Sequence, residues 1–211
     1  MEKNIEQRFV PLEVRAETEN EQPVIIGTAA VYNVRAEIFP GFFEEIKPGA
    51  FAGPLKNDDI RGLWNHNSDY PLGRKSAGTL ELYDEKDGPH YKIFPPDTQM
   101  GRDSIISIKR KDVTGSSFSF TVAPDGAKLK TEEDGTMLRT ITELESVGDV
   151  GPVTYPAYSD TTVAVRSRDA FLAEQEPPEE IPPMENDAPL RDLAEKELEL
   201  AEEKWLISPP G

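Results

Sequence analysis

Three segments of this chain hold side chains that could do chemistry together. They are Leu63-Trp64-Asn65-His66-Asn67, Gly115-Ser116-Ser117-Phe118-Ser119-Phe120 and Asp149-Val150-Gly151-Pro152-Val153-Thr154-Tyr155-Pro156-Ala157-Tyr158. A histidine, a serine and an acid in that chain order, each in an apolar, strand-like run, are the parts of a serine-type hydrolase. A neutral imidazole can take a proton from a serine hydroxyl and return it to a leaving amine. The serine becomes a nucleophile only with that base in hydrogen-bond reach and with donors aimed at the developing oxyanion. An acid then holds the imidazole tautomer and stabilises the imidazolium. Glu143, Glu145 and Asp149 are the available acids, and periodicity does not choose among them. Each residue also has a plainer reading. A lone histidine at a strand end is usually structural, a serine can simply fill a strand face, and surface charge is the default for an acid. His90, beside Gly88-Pro89 at a hairpin shoulder, is expected to be an ordinary exposed residue.

These groups need strands to position them. Ser117 and Ser119 alternate with Phe118 and Phe120, so both hydroxyls face away from the rings. Val24 to Tyr32 reads as a buried strand. Thr79 to Tyr83 and His90 to Phe94 alternate around Asp87-Gly88 and read as a hairpin. Ser117 to Val122, Thr136 to Leu144, Val150 to Tyr155 and Thr161 to Val165 are further strand candidates, with Pro124-Asp125-Gly126 and Glu133-Asp134-Gly135 as turns. Helices are fewer. Pro48-Gly49-Ala50-Phe51 suits the start of a short one, and Arg102 to Arg110, with Ile105, Ile106 and Ile108, suits another just before the serine strand. The expected fold is mixed α+β and strand-dominated, a closed or nearly closed sheet with a few helices.

Bulk composition narrows the function classes. The 211 residues allow one ordinary domain with an appendage, and 36% hydrophobic content with a mean hydropathy of −0.56 suggests that part of the chain does not pack. A net charge of −17 argues against a nucleic-acid surface, which needs clustered Lys and Arg. No window is apolar enough to span a membrane, and Met1-Glu2-Lys3-Asn4 lacks a signal core. Without cysteine there is no disulfide or thiol nucleophile, and two histidines do not make a histidine-rich metal site. The bland reading is a soluble, acidic, intracellular protein.

The charge is uneven. Residues 171–211 carry 3 Lys and Arg against 12 Asp and Glu, while residues 1–170 carry 20 against 28. The chain therefore divides into a domain over 1–170, a Pro/Glu-rich linker over 171–189 and an acidic tail over 190–211. The linker's prolines lack backbone donors and resist regular structure. In the tail, Leu190, Leu193, Ala194, Leu198, Ala201 and Trp205 recur at helical spacing. Two readings stand for it: an amphipathic helix that docks on a partner, or a solvated, disordered segment.

Taken together, the segments resemble the prohead (capsid maturation) proteases of tailed phages, relatives of the herpesvirus assemblins. The match runs through Gly27-Thr28-Ala29-Ala30-Val31-Tyr32-Asn33, Phe42-Phe43-Glu44-Glu45-Ile46-Lys47-Pro48-Gly49-Ala50-Phe51, the His66 segment with Pro71-Leu72-Gly73-Arg74, Asp97-Thr98, Gly101-Arg102-Asp103, the serine strand and Val153 to Tyr158. It covers roughly residues 8 to 168 in the family's order. The resemblance implies an assemblin-like β-barrel surrounded by helices. It also implies His66 as general base, Ser117 as nucleophile and Asp149 as the third member, with Glu145 in reserve. Ser116, Ser119 and Asp149 stand where the family pattern has Met, Gly and Glu, and Ser119 is thereby a rival nucleophile that the family pattern does not favour. Backbone donors near Arg74 or after the serine strand are the candidates for an oxyanion hole. The implied activity is serine endopeptidase cleavage of scaffold or capsid precursor, and of the protein's own tail, inside the immature procapsid in the host cytoplasm. No metal or organic cofactor, no nucleic acid and no membrane is called for, and assemblins set the precedent for a homodimer. The alternative is a catalytically inactive protease fold kept as a scaffold module that binds the capsid shell.

Overall fold

In the computed structural model, the described residues are 5–11 and 14–155. They lie within the unit Met1–Ala170, so the expected linker and tail fall outside them. Thirteen strands and two short α-helices make up this part. The strands are β1 (Glu6–Val10), β2 (Arg15–Glu19), β3 (Gln22–Thr28), β4 (Ala36–Phe39), β5 (Phe42–Ile46), β6 (Arg61–Trp64), β7 (Asn67–Arg74), β8 (Leu80–Asp84), β9 (Pro89–Ile93), β10 (Gly115–Val122), β11 (Ala127–Thr131), β12 (Met137–Ile141) and β13 (Leu144–Val153). Helix α1 covers Ala52–Asn57 and α2 covers Gln99–Lys109. The strand-dominated α+β class is as expected.

The barrel is not confirmed. Hydrogen bonding sorts the strands into three sheets, ordered β1-β10-β13-β6-β7, β11-β12-β5-β4 and β2-β3-β9-β8, and closes none of them. Hydropathy alternation says which residues face inward but not which strand lies next door, so the number of sheets was not legible. All three sheets nevertheless face one core. Ile25 and Tyr91, Ile46 and Ile141, and Phe118, Phe120 and Val150 bring one sheet each to the same buried cluster.

Several local expectations hold. β8 and β9 form the anticipated antiparallel hairpin, with Leu80 opposite Ile93 and Asp84 opposite Pro89. Helix α2 is present but begins at Gln99, three residues before the expected Arg102; its cap is Thr98, whose hydroxyl accepts the Gly101 N–H at 3.2 Å, and it buries Ile105 and Ile108 while Ile106 faces out. Gly101 allows the helix to pass close to the chain, since a Cβ there would fall 2.0 Å from the Pro96 carbonyl oxygen. The run from Val24 to Tyr32 is shorter than expected as a strand. Pairing ends at Thr28, and Tyr32 returns only as a bridge to Ile46. The run from Thr136 to Leu144 splits into β12 and the first residue of β13.

Strand β10 is unusual in being buried on both faces. One face presents Phe118 and Phe120, their rings stacked at 4.8 Å, to the core. The other presents Ser117 and Ser119, where hydroxyls are enclosed instead of apolar groups. Buried hydroxyls must find partners. Those partners define the site.

Candidate active site

His66 sits at the tip of the β6–β7 hairpin. Trp64 pairs with Asn67, which leaves a two-residue turn of Asn65 and His66, both left-handed at φ 53° and 56°. That is the type I′ geometry whose twist matches adjoining strands. Asn and His both occur in the left-handed region more often than most residues, but each non-glycine residue held there carries some strain. The tip is held in compensation. Asn65 N–H donates to the Pro152 carbonyl at 3.0 Å, its side-chain Nδ2 donates to Thr154 Oγ1 at 3.1 Å, and its Oδ1 accepts the Thr154 N–H at 2.7 Å. An Asn65→Ala protein should therefore lose about 1 kcal/mol of stability, with faster amide exchange across the hairpin tip and little change in β8–β9. Exchange mass spectrometry would check both.

The clamp lands on β13, which carries the acid. In the register, Ser117 lies opposite Gly151 and Ser119 lies opposite Asp149. Gly151 matters through what it lacks. A Cβ there would meet the Leu63 carbonyl oxygen at 2.0 Å, so only glycine lets β6 run this close to β13. That approach brings the hairpin tip over the serine strand.

Three of the expected residues therefore meet. His66 Nδ1 is 2.5 Å from Asp149 Oδ1, and His66 Nε2 is 2.6 Å from Ser117 Oγ. A ring nitrogen facing a carboxylate carries the proton, which leaves Nε2 as the acceptor toward Ser117. The serine hydroxyl has a second acceptor, the Arg8 carbonyl in β1, at 2.9 Å. Its one proton thus has two destinations. Ser117 is fully buried, and the side chains of His66 and Asp149 are each 12% exposed.

The other candidates lie elsewhere. The hydroxyl of Ser119 donates to Asp149 Oδ2 and accepts the Asp149 N–H at 3.1 Å, so it faces the acid and not the imidazole. Glu145 Oε2 accepts from Thr121 Oγ1 at 3.0 Å. The Arg74 N–H donates to Thr79 Oγ1 at 2.9 Å, which occupies one proposed oxyanion donor. His90 is not the exposed residue expected. It is half-buried, with Nδ1 3.0 Å from Thr28 Oγ1 and Nε2 3.0 Å from Asp87 Oδ1. Asn65, Thr154 and Gly151 were missed as positioning residues. The Asn preceding His66 was the available signal for Asn65, because Asn is enriched in left-handed turns.

The sequence model of the caudovirus prohead serine proteases matches residues 10–175, and the chain belongs to that family. Among solved structures, the chain is similar to the bacteriophage T4 capsid assembly protease, gp21, with a TM-score of 0.42 and 12% identity, over 71% of this chain and 95% of that one. No curated protein matches the sequence.

Proposed function

We propose that the protein is a serine endopeptidase with Ser117 as nucleophile, His66 as general base and Asp149 as the group that orients and stabilises the imidazole. The observation that carries this reading is the continuous chain Ser117 Oγ, His66 Nε2, His66 Nδ1 and Asp149 Oδ1, with links of 2.6 Å and 2.5 Å on either side of the ring. Ser117 Oγ attacks the carbonyl carbon of the scissile peptide while its proton passes to Nε2. The imidazolium so formed is stabilised by the Asp149 carboxylate. The tetrahedral species collapses as Nε2–H protonates the departing amine, leaving an acyl-enzyme. Water, deprotonated by the same nitrogen, then hydrolyses the ester and restores Ser117. Productive attack needs the hydroxyl proton on Nε2 and not on the Arg8 carbonyl. Binding of substrate must also uncover the serine.

The substrate class we assign is the scaffold or capsid precursor inside the immature shell, in keeping with the family. The acidic tail, with its Pro/Glu linker, is proposed as a site of self-cleavage. The test compares wild-type and Ser117→Ala proteins, each incubated with capsid precursor and followed by intact-mass spectrometry. New masses in the wild-type sample alone support the reading, and their values give the cut sites. Identical spectra from two folded proteins would favour the inactive scaffold module.

A further inference from the structure

Resting on the assignment above, we propose that Ser119 is a positioning residue: its hydroxyl locks the Asp149 carboxylate in the rotamer that presents Oδ1 to His66. Both contacts of the Ser119 oxygen go to the same residue. It donates to Asp149 Oδ2 and accepts the Asp149 N–H at 3.1 Å. A side chain tied to one carboxylate oxygen and to the backbone of the same acid removes that acid's rotational freedom. The other oxygen is then left aimed at the imidazole at 2.5 Å.

The strand geometry is arranged around this contact. Ser119 pairs with Asp149 but Phe120 pairs with Val147, so Gly148 is the extra residue of a bulge. Bulges re-aim the neighbouring side chain. Gly148 also leaves room for the hydroxyl, because a Cβ at that position would lie 2.9 Å from Ser119 Oγ. Asp149 and Ser119 are both buried. Without the hydroxyl, Oδ2 and the Asp149 N–H both lose their Ser119 partner, and the carboxylate becomes free to turn. A nucleophile role for Ser119 fits this arrangement poorly, since its proton already goes to the carboxylate.

The variants to compare are Ser119→Ala, Ser119→Cys, Ser119→Thr and Ser117→Ala, assayed on the full-length chain with capsid precursor. Ser119→Ala should lower kcat roughly 10- to 100-fold with KM within about twofold, the scale for losing an outer hydrogen-bond partner that orients a site residue, and less than the loss of the orienting acid itself. Ser119→Cys fills the volume with a poor donor and should show the same kcat loss, which keeps the test valid if the alanine protein folds badly. Ser119→Thr restores the hydroxyl and should recover most of the rate. In proton NMR, the downfield His66 Nδ1–H resonance should move or broaden in the alanine and cysteine proteins but stay put in the threonine protein. A fluorophosphonate probe should still label Ser117 in all of them except Ser117→Ala.

Wild-type kcat with an unmoved Nδ1–H resonance in Ser119→Ala would overturn the positioning role while leaving the Ser117 assignment intact. Probe labelling at Ser119, with activity surviving in Ser117→Ala, would overturn both.

Discussion

Ser117→Ala and His66→Ala proteins are each expected to lose roughly 10⁴- to 10⁶-fold in kcat, and the double variant should lose no more than either single. The reason is that one proton transfer needs both groups. With Ser117 gone, His66 has no hydroxyl to deprotonate. With His66 gone, the hydroxyl keeps the Arg8 carbonyl as its acceptor, and a backbone carbonyl is not a base at neutral pH. Groups acting as one unit give non-additive losses, whereas two independent contributions would multiply. The fold should tolerate Ser117→Ala, because alanine removes a buried hydroxyl and leaves two acceptors to re-satisfy, the Arg8 carbonyl and Nε2 of the partly exposed His66. Cleavage of capsid precursor by the four proteins, normalised to matched urea midpoints, checks this. A double variant slower than both singles by the product of their losses would remove the shared-proton account.

The residues that meet at the candidate site were more legible than the architecture around them, for identifiable reasons. Alternation in Ser117-Phe118-Ser119-Phe120 gave the faces correctly, because the pleat has a strict period of two. The β8–β9 hairpin and α2 are local, and Asp87-Gly88 in the one and the isoleucine spacing in the other announce them, although the Thr98 cap that sets the start of α2 was not read. Contacts between distant segments were not announced. The approach of β6 to β13 depends on Gly151 and on parallel pairing of Asp149 with Arg61, neither of which leaves a periodic trace. The acid is a related case. Residue type left Glu143, Glu145 and Asp149 open, the resemblance pointed to Asp149, and that is the carboxylate found beside His66. Ser119 was read as a rival nucleophile because residue type alone cannot say which partner a hydroxyl faces. Charge was the least legible feature. Nothing in type or spacing sets Glu6, Arg8, Glu44 and Arg139 apart, yet they form one ion-pair cluster that joins β1, β5 and β12.

That cluster carries the second large effect. Arg139→Ala is expected to cost about 3–5 kcal/mol at pH 7, the scale for removing one member of a buried ion pair. Arg139 meets Glu6 through two bonds, Nη1 to Oε2 at 2.8 Å and Nη2 to Oε1 at 3.0 Å, and its Nη1 also reaches Glu44 at 3.2 Å. Arg8 joins the same acids, at 2.7 Å to Glu44 Oε1 and 2.5 Å to Glu6 Oε2. Two cations balance two carboxylates, and deleting Arg139 leaves a buried negative charge in excess. Burial pushes the Glu6 carboxyl up, but Arg8 and Arg139 outweigh it and hold the group below its ordinary 4.5. A depressed folded pKa gives stability that is complete above the unfolded value and is lost as pH falls through the folded one. The wild type should therefore lose this contribution only below about pH 4.5. In the variant one of the cations is missing, so Glu6 takes up its proton at higher pH and relieves the excess charge. The gap between the two proteins should narrow as pH drops from 7 to 4, which urea midpoints at both values would reveal. A gap that widened instead would mean that the cluster's stability does not come from its charge balance. Pairing Arg139→Met with Glu6→Leu removes one charge of each sign, and this balanced variant should recover most of the loss. Because Arg8 belongs to the cluster and its carbonyl meets Ser117, the unbalanced variant should also exchange β1 amides faster. Arg8 would then couple the stability of the edge strand to the setting of the serine, its guanidinium in the cluster and its backbone carbonyl on Ser117.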